Sequence, residues 1–189
     1  MRGRGRLWIL GLCSVVLLGV VGCGGAPDPA VTTPSPPTPT SGGDEGAVIS
    51  LVGVPSEAEL GEIFEVEVVA TGVEDLYGAE LHLRYDPLTL EVIDARDEAA
   101  EKVRDGSLLT VRFTAQNQVD PTTGRIDYAV AQMPPTQGAS GDGSLARIRF
   151  RTIGVGSGSV ELDEVLLASS RGEAIVWNEG VMVAEVAIR

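Results

Sequence analysis

Beyond Cys23 this 189-residue chain contains no cysteine, and its only other one, Cys13, precedes it. Disulfides and thiolate chemistry are thereby excluded from everything downstream that could fold. Histidine occurs once, as His82. That excludes a structural zinc cage, because carboxylates alone hold zinc poorly. Aromatic residues make up 4% of the chain against 24 glycines, a balance that suits a turn-rich β-sandwich better than a helical bundle. Positive charge is scarce: 14 Lys and Arg face 27 Asp and Glu, for a net −13. A phosphate backbone would be repelled rather than neutralised, so nucleic acid is not an expected partner. No glycine-rich phosphate loop runs into a lysine, and no nucleophile elbow is present. Adjacent carboxylates occur at Glu74-Asp75 and Asp163-Glu164. Neighbours on a strand point to opposite faces, so neither pair is expected to flank one glycosidic bond. The expectation is a protein that is not an enzyme. Asp120, Asp127 and Asp142, in or beside loops, offer the oxygen ligands calcium prefers, but without EF-hand spacing. The expected cofactor set is therefore none.

Long apolar runs are also missing, except over residues 7–21, which Arg2, Arg4 and Arg6 precede and Val20-Val21-Gly22-Cys23 closes. That run is short for a permanent transmembrane helix and right for the apolar region of a secretory signal. Charge, apolar run, small residues and cysteine in this order resemble the bacterial lipobox. The resemblance implies that residues 1–22 are a lipoprotein signal peptide and Cys23 the lipidated first residue of the mature chain. Its domain would then be extracytoplasmic, part of the cell envelope and lipid-anchored to the outer side of a bacterial membrane. More than one acyl chain, at about 0.8 kcal/mol per buried CH₂, makes such an anchor stable. Residues 26–46 (APDPAVTTPSPPTPTSGGDEG) carry no apolar pattern and cannot bury enough surface to fold. Residues 23–46 therefore read as a lipidated cysteine plus linker. At about 3.1 Å per residue the linker could hold the remaining domain, 47–189, up to about 60 Å from the membrane.

Within 47–189 the organising stretch is 76–92 (LYGAELHLRYDPLTLEV). Tyr77, Ala79, Leu81, Leu83 and Tyr85 alternate with Gly78, Glu80, His82 and Arg84, the period-two signature of a strand with one buried and one wet face. Asp86-Pro87 stops it, since proline has no N–H to give a ladder and aspartate can bond the backbone ahead. Similar patterns over 48–54, 62–71, 88–95, 108–115, 126–131, 144–152, 159–167 and 181–188 read as further strands. In one of them Ala146, Ile148 and Phe150 face inward and Arg147, Arg149 and Arg151 outward. Residues 97–103 suggest a short helical turn, 120–124 a turn and 133–143 a loop. About nine strands at short spacing predict an all-β antiparallel sandwich.

Arg84-Tyr85-Asp86-Pro87 followed by Leu88-Thr89-Leu90-Glu91-Val92 resembles the third and fourth strands of cohesin domains, the receptor modules of cellulosomes. Gly124-Arg125-Ile126-Asp127-Tyr128-Ala129-Val130-Ala131 is similar to the sixth strand, Ala146-Arg147-Ile148-Arg149-Phe150 to the seventh and Val160-Glu161-Leu162-Asp163-Glu164-Val165 to the eighth. The resemblance covers the whole domain and implies a nine-stranded jelly roll. Strands eight, three, six and five would form one sheet, and nine, one, two, seven and four the other. That order sets the outward arginines between Glu65 and Glu67 on one side and Glu91 on the other.

The resemblance to type I-like cohesins further implies a non-catalytic receptor for dockerin-bearing proteins, such as secreted polysaccharide-degrading enzymes, with the calcium carried by the dockerin. The partner-binding face would hold Glu80, His82 and Arg84 on strand three beside Asp127, Ala129 and Ala131 on strand six. Glu80 falls where the family has an acidic residue that bonds a dockerin hydroxyl. The family pattern there is aspartate preceded by asparagine, whereas this chain has Gly78-Ala79-Glu80. Jelly rolls also serve as carbohydrate-binding modules and as structural or adhesion domains of the envelope, so polysaccharide is an alternative partner. Trp177, placed in the loop before the last strand, is the aromatic such a sugar platform would use.

Overall fold

The computed structural model describes residues 46–94 and 102–189. The expected signal segment, Cys23 and all of the linker but Gly46 lie outside the described residues, as do residues 97–101 of the expected helical turn. Every regular element among the described residues is a strand: β1 (Ala47–Val52), β2 (Glu57–Ala58), β3 (Ile63–Tyr85), β4 (Leu90–Ile93), β5 (Arg104–Asp105), β6 (Phe113–Asp120), β7 (Arg125–Ala131), β8 (Ala139–Thr152), β9 (Gly156–Ser169), β10 (Trp177–Glu179) and β11 (Val183–Ile188).

β3 belongs to both layers of this jelly roll. Its first part pairs with β1 and β8, and its second part, from Leu76 to Tyr85, pairs with β9 and β7. One layer therefore runs β10-β1-β3-β8-β4, and the other β6-β7-β3-β9-β11. The inward residues of β3, among them Val66, Val68, Ala70, Leu81 and Leu83, are fully buried. They meet Ile126 and Tyr128 of β7, Ile148 and Phe150 of β8 and Val160 of β9 in one core. Phe150 sits between Phe64 and Tyr85, with ring centroids 5.8 and 5.4 Å away.

The strand changes layers at a kink where Gly72 and Asp75 have φ of 68° and 53°. Glycine adopts this region freely and aspartate is among the few other residues that tolerate it. Side chains hold the kink: the Gly72 N–H donates to Asp142 at 2.7 Å, the Asp75 N–H to Ser140 Oγ at 3.0 Å, and the Ser170 hydroxyl to the Asp75 carboxylate at 2.9 Å.

The outward arginines stand as expected. Arg147 and Arg149 lie opposite Glu67 and Glu65 on β3, and Arg151 opposite Glu91 on β4, with Arg151 Nη1 3.0 Å from Glu91 Oε1. Arg147 donates instead to the Asp105 carbonyl at 3.2 and 3.1 Å, and a partly exposed pair such as Arg151–Glu91 contributes about 0 to 1 kcal/mol.

Four expectations are corrected. Strands 62–71 and 77–85 are one continuous strand, because the polar break between them is the kink rather than a turn. The strand expected at 108–115 is displaced to β6. Gly106 and Leu108 donate to Leu145 and Ser144 on β8, and Thr110 to the Gln132 side chain, which holds that segment off the ladder. Pairing then begins at Phe113↔Ala131 and closes at Asp120↔Arg125. The loop expected at 133–143 ends early, since β8 begins at Ala139 to follow the kinked part of β3. The last strand does not lie against β1. β10 takes that place, in parallel, and after Gly180 and Val181 bond Ile49 and Leu51 the chain crosses to pair β11 with β9.

Candidate functional site

The outer face of the β6-β7-β3-β9 sheet gathers all six expected partner-binding residues. The register places Gly78 opposite Ala131, Glu80 opposite Ala129, His82 opposite Asp127 and Arg84 opposite Arg125. β7 can align this way because the Asp120–Gly124 turn is tight. Asp120 accepts from the Thr122 N–H and the Thr123 hydroxyl, and Gly124, at φ 69°, bonds Tyr85 through its carbonyl. A Cβ on Gly124 would stand 2.0 Å from the Tyr85 oxygen, so only glycine fits.

Along the strands the face divides into two halves. At one end small side chains form the floor of an apolar depression of about 400 Å³: Gly78, Ala129, Ala131 and Ala168. Phe113 on β6 and Leu166 on β9 wall it from opposite sides and are 53% and 51% exposed. Three interstrand spacings separate β6 from β9, about 14 Å, slightly more than the diameter of an α-helix with its side chains.

The other half is ionic. His82 Nδ1 lies 2.5 Å from Asp127 Oδ1, and His82 Nε2 3.0 Å from Glu80 Oε1. Arg125 Nε donates to both oxygens of Asp127 at 2.9 and 3.0 Å, and Arg84 Nε pairs with Asp163 Oδ2 at 2.5 Å. Burial opposes ionisation of Asp127, but the hydrogen bonds from His82 and Arg125 outweigh it and hold the carboxyl below its usual range. The network fixes these long side chains in register.

Asp163 and Glu164 correct a second line of sequence reasoning. β9 slips against β3 between Leu83 and His82, and both carboxylates of this bulge are exposed between the buried Leu162 and Val165. They line one polar depression with His82, Arg84 and Arg125. A bulge removes the strict alternation that the argument for opposite faces assumed. Among the described residues, however, no three His, Cys, Asp or Glu side chains are grouped to hold a metal ion. The calcium candidates are dispersed: Asp120 closes its own turn, Asp142 caps Gly72, and Asp127 serves His82 and Arg125. Trp177 is corrected in place only: it lies in β10 rather than a loop, half-buried with its indole N–H donated to the Val165 carbonyl at 3.1 Å, and it lines the apolar depression. Sequence reasoning missed Phe113, Arg125, Leu166 and Ala168. The spacing Leu162 to Val165, three where two is expected, was the available sign of the bulge that brings β9 into the face.

The family model for the cohesin domain matches residues 50–181. No curated protein sequence matches the chain. Among solved structures, a type II cohesin domain from the cellulosome of Acetivibrio cellulolyticus is similar at 18% identity and TM-score 0.64, covering 75% of this chain and 95% of its own. A non-cellulosomal cohesin from the hyperthermophilic archaeon Archaeoglobus fulgidus is similar at 23% identity and TM-score 0.56, covering 75% and 91%. A mutant type II cohesin–X–dockerin complex from A. cellulolyticus is similar at 14% identity and TM-score 0.64, covering 76% and 99%.

Proposed function

Because this chain belongs to the cohesin domain family, we propose that its module docks dockerin-bearing proteins on the outer face of the β6-β7-β3-β9 sheet. Cohesin modules are non-catalytic and carry no cofactor, so the face needs only shape and complementary chemistry. The observation that carries the reading is the apolar floor of Gly78, Ala129, Ala131 and Ala168 lying directly beside a pre-ordered ionic network. Small side chains let a partner helix bring its backbone close, and the flanking Phe113 and Leu166 supply apolar area to its sides. Glu80 stands between the two halves, with a carboxylate able to accept from a partner hydroxyl.

Calorimetry with purified dockerin modules from the same genome tests this directly. Glu80→Ala should weaken docking by about 1 to 2 kcal/mol, the scale of one hydrogen bond to a charged group. If a polysaccharide binds the parent and no dockerin does, the carbohydrate-binding reading replaces this one.

The charged start, apolar run and Val20-Val21-Gly22-Cys23 support a lipoprotein lipidated on Cys23 and displayed at the cell envelope. The docked proteins would then be held at the cell surface, where polysaccharide-degrading enzymes act on extracellular substrate. Cys23→Ala should abolish incorporation of labelled fatty acid and partition into detergent. A substituted protein that keeps both removes the anchor from this reading.

A further inference from the structure

Both ring nitrogens of His82 face carboxylate oxygens, those of Asp127 and Glu80. A neutral imidazole has one N–H and must turn a lone pair toward one of them; only the imidazolium donates to both. The charged groups around the ring are Glu80 and Arg84 on β3, Asp127 and Arg125 on β7, and Asp163 and Glu164 on β9, while β6 brings the uncharged Gln118 opposite Asp127. Asp163 and Asp127 engage the two arginines, which leaves an excess of carboxylate and favours a positive ring.

The two partners of His82 are not equivalent. Asp127 is also gripped by Arg125 and its side chain is 16% exposed, whereas that of Glu80 is 42% exposed. When the ring loses its proton, the remaining N–H stays with Asp127 and Glu80 is released.

We infer that His82 is a proton-controlled positioning residue of the docking face, which in its protonated form pins Glu80 at the edge of the apolar floor and so favours docking. This rests on the docking reading above. The His82 pKa is raised by its hydrogen bond to Asp127, against the effect of burial and with help from Glu80. A pinned Glu80 is in place when the partner arrives, and a free one must be ordered at that moment. The sign follows from linkage. Tightest docking holds at pH below the ordinary histidine value and is lost as pH rises through the raised one.

Since His82 is the only histidine, its ring protons give one unambiguous NMR titration. That midpoint should lie above the ordinary value and move down in Glu80→Gln. In calorimetry against a dockerin that binds the parent, affinity should fall about three- to tenfold through this titration, the scale of immobilising one rotamer-rich side chain. His82→Gln should bind with little pH dependence, near the level of the deprotonated parent. Affinity that is flat or rises with pH overturns the inference while leaving docking intact, as does a midpoint that Glu80→Gln does not move. If no dockerin binds the parent at any pH, the docking reading and this inference fall together. Should His82→Gln not fold, the Glu80→Gln titration and the parent's pH profile still decide the matter.

Discussion

Ile148→Asp is expected to unfold the domain, while Arg149→Ser, one residue away, leaves its melting temperature within a few degrees of the parent's. Ile148 is fully buried in β8 opposite Val66 of β3, and Arg149 points outward opposite Glu65. The aspartate loses the packing of an isoleucine, about 2 to 5 kcal/mol. It also places a carboxyl where no donor reaches it, at a further cost of several kcal/mol. Together these match the whole stability of an ordinary domain, about 5 to 15 kcal/mol. Truncating the outward Arg149, which faces Glu65 across the strands, costs no more than the loss of a surface ion pair would, about 0 to 1 kcal/mol. Thermal unfolding followed by circular dichroism separates the two, and similar midpoints would refute the assignment of faces along β8.

The second large effect is expected on docking. Ala129 lies at the middle of β7 between Glu80 on β3 and Gln116 on β6, on the floor of the apolar depression. Binding energy concentrates in a few central residues of an interface. An arginine there fills the space a helix backbone would need and brings a charge into a contact that excludes water. Ala129→Arg should therefore weaken binding to a cognate dockerin by at least about 2 kcal/mol, roughly thirtyfold. The melting temperature should scarcely change, because the new side chain stands on the outer face and can reach Glu80. Equal affinity of parent and variant would show the face to be idle.

Period-two alternation made much of this legible from residues alone. Glu80, His82 and Arg84 declare one face of β3 because Ala79, Leu81 and Leu83 declare the other, and β7 and β8 read in the same way. β6 has no such pattern: Phe113–Asp120 buries no residue fully, and its register comes from the Asp120–Gly124 turn. The apolar residues before it, Leu109 and Val111, imitated a strand while packing on the core from a segment tied to β8. The kink at Gly72 and Asp75 left only a gap between two expected strands, since local sequence cannot tell a chain that reverses from one that changes layer. Asp127 was legible as a face residue. Its grip by Arg125 was not, because alternation puts the two side chains on one face without fixing the rotamers that bring them together.

Sharing one strand between both layers ties their loss together. β3 supplies hydrogen bonds to β1 and β8 on one side of its kink and to β7 and β9 on the other. Neither sheet can open without stripping partners from a backbone that the other also uses. Unfolding that takes β3 out of the β6-β7-β3-β9-β11 sheet thus disturbs the other sheet too, whereas the edge strand β6, which buries no residue fully, can detach alone. Amides of β3 on either side of the kink, 66–70 and 76–83, should exchange with solvent only when the whole domain opens, while the kink and margins such as β2, β5 and β6 exchange sooner.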